Sequence, residues 1–287
     1  MIVAEQIDAV RRELARVRQA GRTVGLVPTM GALHEGHLSL VDAAKGGCDA
    51  VAVSIFVNPT QFAPAEDLAA YPRRPEADLA ACEARGADLV FIPSVEAMYG
   101  DGALTHVTVA ELSGGLCGRS RPTHFAGVCT VVAKLFNIVQ PDKAYFGRKD
   151  FQQAVIIRRM ARDLDFPIEI VTCPIVRESD GLALSSRNAY LTPPQRAQAP
   201  ALSASLAAAE RLIRAEAPPA EAVRAQVRRH LAAHAPDGRI DYVEVVDPEA
   251  LTAVARARPP VLVALAVRFG STRLIDNVLV DAEAPAG

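Results

Sequence analysis

Residues 23–40 read TVGLVPTMGALHEGHLSL, and the order of residue types in this stretch decides the fold. Thr23–Val27 is a short apolar run that reads as a strand. Pro28-Thr29-Met30-Gly31 breaks it. From about His37 the apolar positions Leu38, Val41 and Ala44 follow helical spacing. A strand that turns into a helix presents unpaired backbone N–H groups at the helix start, and with the helix dipole these favour an anion. Gly31 and Gly36 let the backbone approach a ligand closely. His34 and His37 are three apart and share one face of a helical turn. Two imidazoles there can donate to phosphate oxygens as charge builds.

Working outward, the same alternation repeats. Ile7, Val10, Leu14 and Val17 mark an amphipathic helix over residues 7–17, ended by Gly21. Ala50–Val57 (AVAVSIFV) is a continuous apolar run, a buried strand. Asp78–Arg85 is helical and Asp88–Ile92 (DLVFI) is the next strand. Residues 126–139 (AGVCTVVAKLFNIV) are too long for an ordinary strand and are read as helix. Lys143–Phe146 is a short strand, Phe151–Asp163 a helix and Ile168–Thr172 a strand. Strands alternating with helices predict a parallel sheet covered on both faces.

The character changes after about residue 190. Residues 194–234 are rich in Ala and Arg, with Pro218-Pro219 separating two helices, and three strand-like runs follow at Ile240–Val246, Val261–Val267 and Thr272–Val280. The expectation is an α/β fold: a Rossmann-like parallel-sheet domain over residues 1–176 and a smaller α+β domain over 177–287. The tail from Asp281 is expected to fray.

Three further segments carry candidate chemistry. In Ser54–Phe62 (SIFVNPTQF), Asn58 and Gln61 lie beyond the C-terminal end of a buried strand, where open α/β sheets bind ligands. They are neutral groups suited to hydroxyl or carboxylate recognition. Tyr71-Pro72-Arg73 follows a Pro- and Ala-containing loop read as a lid. In Tyr145–Gln153 (YFGRKDFQQ), Gly147 turns the chain, Arg148 and Lys149 sit at a helix start suited to phosphate, and Asp150 suits an N-cap. Gln152 and Gln153 point to different faces, so one of them at most reaches a ligand. In Arg177–Leu191 (RESDGLALSSRNAYL), Ser185, Ser186 and Arg187 offer two hydroxyls and a guanidinium to a triphosphate.

Composition narrows the class. Half of the 287 residues are apolar, tryptophan is absent and net charge is −2. That charge gives no footprint for nucleic acid or an anionic membrane. Cys48, Cys82, Cys117, Cys129 and Cys173 form no CxxC pair and are odd in number, against a disulfide framework or a zinc site. The first residues, MIVAE, carry charge at once and give no signal-peptide pattern. No apolar run approaches the roughly 20 residues of a membrane span. A cytoplasmic protein is expected.

The H-x-G-H element resembles the signature of the nucleotidylyltransferase and class I aminoacyl-tRNA synthetase superfamily, whose Rossmann-like sheets bind ATP. Together, PTMGALHEGH, SIFVNPTQF, RPTHFAGVCTVVAKLFNIVQPDKAYFGRKDFQQ and DGLALSSRNAYL resemble the pantothenate synthetase family, densely over residues 20–192 and more weakly to RLIDN at Arg273–Asn277. The resemblance implies ATP-dependent, AMP-forming condensation of (R)-pantoate with β-alanine through pantoyl adenylate, with Mg²⁺ and a homodimer. It implies an ATP site at Met30, Gly31, Ala32, Leu33, His34, Glu35, Gly36, His37, Gly147, Arg148, Lys149, Asp150, Val176, Leu184, Ser185, Ser186 and Arg187. Gln61 would contact pantoate and β-alanine and Gln153 pantoate, with Asn58 and Tyr71 nearby. His37 is the implied proton donor, assisted by His34 and Lys149. No metal ligand follows from it.

Two positions depart from the family pattern. Thr123 stands where Gly often precedes His-Phe, and Arg148 where Glu often precedes the lysine. A nucleotidylyltransferase that stops after AMP transfer to a phosphate is the competing enzyme, but the neutral Asn58, Gln61 and Gln153 suit a phosphorylated acceptor poorly. A silent nucleotide-binding module would not need His34, His37, Lys149 and Arg187 together.

Overall fold

The computed structural model describes residues 1–63 and 68–282. The loop read as a lid includes residues 64–67, and the fraying tail includes 283–287; those parts lie outside the described residues. In chain order the strands are β1 (Ile2–Ala4), β2 (Val24–Thr29), β3 (Ala50–Ile55), β4 (Leu89–Phe91), β5 (Lys143–Gly147), β6 (Glu169–Cys173), β7 (Gly238–Val246), β8 (Val261–Phe269) and β9 (Thr272–Val280). The helices are α1 (Ile7–Gln19), α2 (Glu35–Gly47), α3 (Pro75–Ala84), α4 (Val95–Tyr99), α5 (Cys117–Ser120), α6 (His124–Val139), α7 (Phe151–Asp163), α8 (Pro193–Gln198), α9 (Ala201–Glu216) and α10 (Ala220–His234). Short 3-10 turns span Pro59–Gln61, Arg148–Asp150 and Ser186–Tyr190.

The chain divides into two compact units. The first comprises Met1–Gly114, Gly118–Arg148 and Gln152–Ile175; the second comprises Val176–Gly287 with two strips from earlier in the chain, Gly115–Cys117 and Lys149–Phe151.

In the first unit β1 to β6 form one parallel sheet in the order β1-β4-β3-β2-β5-β6. Every residue of β3 is buried, as its unbroken apolar run requires of a strand covered on both faces. On one face Val27, Val51, Val53 and Val90 pack with Leu40, Val41 and Ala44 of α2 and Cys82 of α3. On the other, α1 and α6 pack against each other and against β2. The result is a Rossmann-like α/β sheet. From β2 the chain proceeds to one side through β3 and β4, and β5 and β6 extend the sheet on the other side. The loops leaving β2 and β5 therefore part at the carboxyl end of the sheet, where such folds open a binding crevice.

Three details differ from the sequence reading. Pro28 and Thr29 do not break β2; they pair with Ser54 and Ile55 of β3. On its other side β2 pairs with β5 only at Gly25 and Leu26, so the missing N–H of Pro28 removes no ladder bond there. The edge strand β1, three residues long, is too short to show alternation. The Ala-rich segment holds three helices rather than two, because Thr192 and Gln195 form a capping box that starts α8 separately.

In the second unit β7, β8 and β9 form an antiparallel meander. Its β8 is almost wholly buried, and Val263, Leu265 and Val267 share one core with Leu202, Leu206 and Ile213 of α9 and Val223, Val227 and Leu231 of α10. All five cysteines are free. Among the described residues no helix is long and apolar enough to cross a membrane.

Candidate active site

In the first unit the loop from β2 to α2 is held by a carboxylate that no motif announced. Asp78, buried in the first turn of α3, accepts from the Ala32 N–H at 2.9 Å and the Leu33 N–H at 2.8 Å. These amides were expected to await an external anion. Their anion is Asp78, so any contact that Ala32 and Leu33 make with a ligand uses other atoms. Gly31 has φ +82° and Ala32 φ +50°. A Cβ at Gly31 would lie 2.9 Å from Asp78 Oδ2 and 3.0 Å from Ile55 Cγ2, so both conformation and space require glycine.

The loop delivers two imidazoles to the start of α2. His34 is the N-cap, and its Nδ1 accepts from the Gly36 N–H at 3.1 Å. His37 reaches back, its Nδ1 3.4 Å from the His34 N–H. The ring centroids are 4.1 Å apart. An Nδ1 that accepts from backbone carries its ring proton on Nε2 in the neutral form. Glu35 is exposed and pairs with Arg85 at 2.6 Å, which occupies its carboxylate on the surface.

Beyond β3, Asn58 caps the 3-10 turn Pro59–Gln61. Only 1% of Asn58 is exposed, and its side chain is engaged in the fold. Its Nδ2 donates to Gln61 Oε1 and to the Gly127 carbonyl, both at 3.1 Å. Its Oδ1 accepts from Thr60 Oγ1 at 2.8 Å and the Tyr99 hydroxyl at 2.7 Å. Burial raises the Tyr99 pKa and keeps this donor protonated. Through its bond to Oε1, Asn58 orients the Gln61 amide.

Gln61 Nε2 lies 2.8 Å from Met30 Sδ, so the amide touches the loop that carries the histidines. The Gln61 carbonyl accepts from His124 Nδ1 at 3.0 Å and Arg121 Nη2 at 3.3 Å, while Arg121 Nη1 stands 3.2 Å from His124 Nε2. Gly127 lets α6 meet this turn: a Cβ there would stand 2.4 Å from the Thr60 carbonyl oxygen. Thr123, the departure from the family's glycine, has φ −95° and ψ −9°, a conformation open to any residue. Tyr71 is buried, with Phe62 edge-on at 6.0 Å. Of the glutamine pair on α7, Gln152 is buried and donates to the Leu112 carbonyl at 2.9 Å, while Gln153 is half-buried. Gly147 and Arg148, both half-buried, lie where β5 ends.

In the second unit Lys149 and Asp150 complete the 3-10 turn before α7, Lys149 half-buried and Asp150 exposed. Val176 and Leu184 face each other across a short hairpin, the Leu184 N–H donating to the Val176 carbonyl at 3.0 Å beside an Arg177–Ala183 bridge. The hairpin leads directly into Ser185, whose Oγ accepts from the Arg187 N–H at 3.3 Å. Ser185, Ser186 and Arg187 are half-buried. Asn188 braces the turn, donating to Glu178 Oε1 at 2.9 Å and the Ala183 carbonyl at 3.1 Å.

Sequence reading missed Asp78, Tyr99, Arg121, His124 and Gly127. The quoted RPTHFAG segment contains three of them, but nothing local shows that they serve a turn about 60 residues earlier.

The family model described as Pantoate-beta-alanine ligase matches residues 2–279. A pantothenate synthetase of Acetivibrio thermocellus is 52% identical over 98% of this chain and 100% of its own length. One from Acidobacterium capsulatum is 58% identical over 92% of this chain and 88% of its own length. Among solved structures, pantothenate synthetase from Thermus thermophilus superposes with a TM-score of 0.92 at 44% identity, covering 98% of this chain and 100% of that one. Pantoate-beta-alanine ligase from Francisella tularensis, complexed with beta-gamma ATP and β-alanine, gives 0.77 at 33% identity and 98% coverage of both. With a matching family model along nearly its whole length and relatives above half identity, the chain belongs to the pantoate-beta-alanine ligase family.

Proposed function

We propose that this chain condenses (R)-pantoate with β-alanine to pantothenate in two ATP-dependent steps. A carboxylate is a poor acylating agent because oxide is a very bad leaving group. In the first step a pantoate carboxylate oxygen attacks the α-phosphorus of ATP, and the bond to the β-phosphate breaks to release pyrophosphate. In the second the β-alanine nitrogen attacks the acyl carbon, loses a proton and expels AMP.

One observation carries the reading. Two imidazoles, each with Nδ1 turned to a backbone N–H, stand at the start of α2, where β2 and β5 part, and a neutral Gln61 amide touches the same loop at Met30. Bringing two anions together calls for preorganised donors rather than a nucleophile. We assign His37 and His34 as donors to the phosphate, His37 as the proton donor, and Gln61 and Gln153 as contacts to the acid. Met30, Gly36, Gly147 and Arg148 belong to the nucleotide contacts of the first unit. We assign triphosphate contacts in the second unit to Lys149, Ser185, Ser186 and Arg187, with Asp150, Val176 and Leu184 beside them.

Apart from the exposed Asp150 carboxylate, the assigned polar side chains are imidazole, amide, hydroxyl, ammonium and guanidinium, which suit phosphate oxygens better than a divalent cation. The carboxylates of Asp78 and Glu35 are already engaged. We therefore assign Mg²⁺ to the ATP that enters, as part of the substrate. Family resemblance also supports a cytoplasmic homodimer with neither nucleic acid nor membrane as partner.

Pyrophosphate exchange into ATP tests the proposal. It should depend on pantoate and Mg²⁺ and need no β-alanine. Adding β-alanine should then release AMP. ADP and phosphate as products would replace the adenylate with an acyl phosphate. Exchange with another acid, and none with pantoate, would keep the mechanism and reject the substrate.

A further inference from the structure

Strand β9 reads TRLIDNVLV, and its alternation sends Leu274, Val278 and Val280 into the core shared with α9 and α10. Asp276 occupies a position on that same apolar side, with 3% exposure. A carboxylate there must be paired. Arg177 meets it with two bonds, Nη1 to Oδ2 at 2.7 Å and Nη2 to Oδ1 at 3.0 Å. Arg177 Nη1 also donates to the Gly181 carbonyl at 3.0 Å, and Arg177 is the residue that bridges Ala183. Asp276 therefore fixes the base of the hairpin that leads into Ser185, Ser186 and Arg187.

The next residue acts in the other direction. The Asn277 N–H donates to Asp276 Oδ1 at 2.8 Å, and Asn277 Nδ2 donates to the Lys149 carbonyl at 2.9 Å. Asn277 is 4% exposed. Two consecutive side chains of one strand thus hold the Lys149 turn and the Val176–Arg187 hairpin, segments well separated in sequence, on one mount. Stability alone does not account for it, because an ion pair whose guanidinium keeps 31% exposure adds little net stability once its desolvation is counted. What the pair supplies is position.

We propose that Asp276 and Asn277 are positioning residues for adenylation, setting the Lys149 turn and the Ser185–Arg187 segment in fixed register. The proposal rests on the assignment of those segments to the triphosphate. Neither residue is a catalytic group; each acts through the backbone or the guanidinium that it holds.

Asn277→Asp is the sharpest variant, since it keeps the size of the side chain and replaces the donor to the Lys149 carbonyl with an acceptor. Asn277→Ala removes the same donor without adding charge, should the aspartate variant not fold. Pantoate-dependent ATP–pyrophosphate exchange is measured for the full chain, for Lys149→Ala and for the double variant, with thermal melts alongside. The expected result is a loss in turnover of about tenfold to a hundredfold in Asn277→Asp, the scale of a small misplacement. KM for ATP should rise while KM for pantoate stays unchanged, and the double variant should be little worse than Lys149→Ala. Wild-type kinetics in Asn277→Asp and Asn277→Ala, with Lys149→Ala impaired, would overturn the positioning role alone. Losses that multiply in the double variant, or equal changes in both KM values, would overturn it too. Full activity in Lys149→Ala would reject the triphosphate assignment itself, and the positioning role with it.

Discussion

Asp78 in the first unit receives two backbone N–H groups, at 2.9 and 2.8 Å, whereas Asp276 in the second receives a two-pronged guanidinium and one backbone N–H. Both carboxylates are buried and both hold a segment assigned to ATP. The first unit does it with main chain and close contact: amides on Asp78, and Gly127 against the carbonyl of Thr60. The second does it through side chains of opposite charge. A carboxylate saturated by amides dictates the backbone conformation of its partner, here the left-handed pair Gly31 and Ala32. A carboxylate saturated by a guanidinium dictates where one long side chain ends and leaves the backbone to the bridge beside it.

The largest expected effects test whether both units handle the nucleotide. His37→Ala and Lys149→Ala should each reduce turnover by roughly 10²–10³, the range for removing one preorganised donor. Both are half-buried, and melting should change little. A variant that folds and keeps more than about half its activity would remove its unit from the comparison.

A matched pair of substitutions tests the anchors themselves. Asp78→Asn leaves one amide without an acceptor and turns an NH₂ group toward it, which should cost about 1–3 kcal/mol in urea unfolding. Asp276→Asn also turns an NH₂ toward a donor, but it should cost less, because the Arg177 side chain keeps 31% exposure to water. Equal losses, or the reverse order, would break the contrast between a backbone anchor and a side-chain anchor.

Gly127→Ala bears on the first unit alone. A Cβ 2.4 Å from the Thr60 carbonyl oxygen forces α6 and the Gln61 turn apart, at about 1–3 kcal/mol for overpacking. KM for pantoate should rise more than KM for ATP, because Gln61 moves with the turn. An unchanged ratio of the two would place Gln61 away from the acid.

What was legible in the sequence follows from the range of each interaction. Helix α7 and strand β9 were read at their observed limits, since their periodicity is local. The parallel sheet followed from alternating strands and helices. His34 and His37 were legible because three residues on a helix start bring them together. Asp78 looked like an ordinary acidic residue near a helix start, because its partners lie 46 and 45 residues earlier. His124 serves a carbonyl 63 residues away. What position beyond a strand did not show for Asn58 is that five groups of the fold reach its side chain.

The two strips that join the second unit from earlier in the chain bear on how the protein can be cut. Arg273 on β9 reaches Cys117 Sγ at 3.5 Å, the Tyr242 hydroxyl lies 3.3 Å from the same sulfur, and Asn277 holds Lys149. A fragment beginning at Val176 would contain every strand of its sheet, yet it would lack the thiol and the carbonyl on which these side chains close. It would carry a guanidinium and a phenol fitted to a sulfur it no longer had. Excision, swapping or circular rearrangement at that junction would therefore break contacts internal to the second unit. A dissection that keeps the second unit whole has to supply residues 115–117 and 149–151 in trans or splice them in.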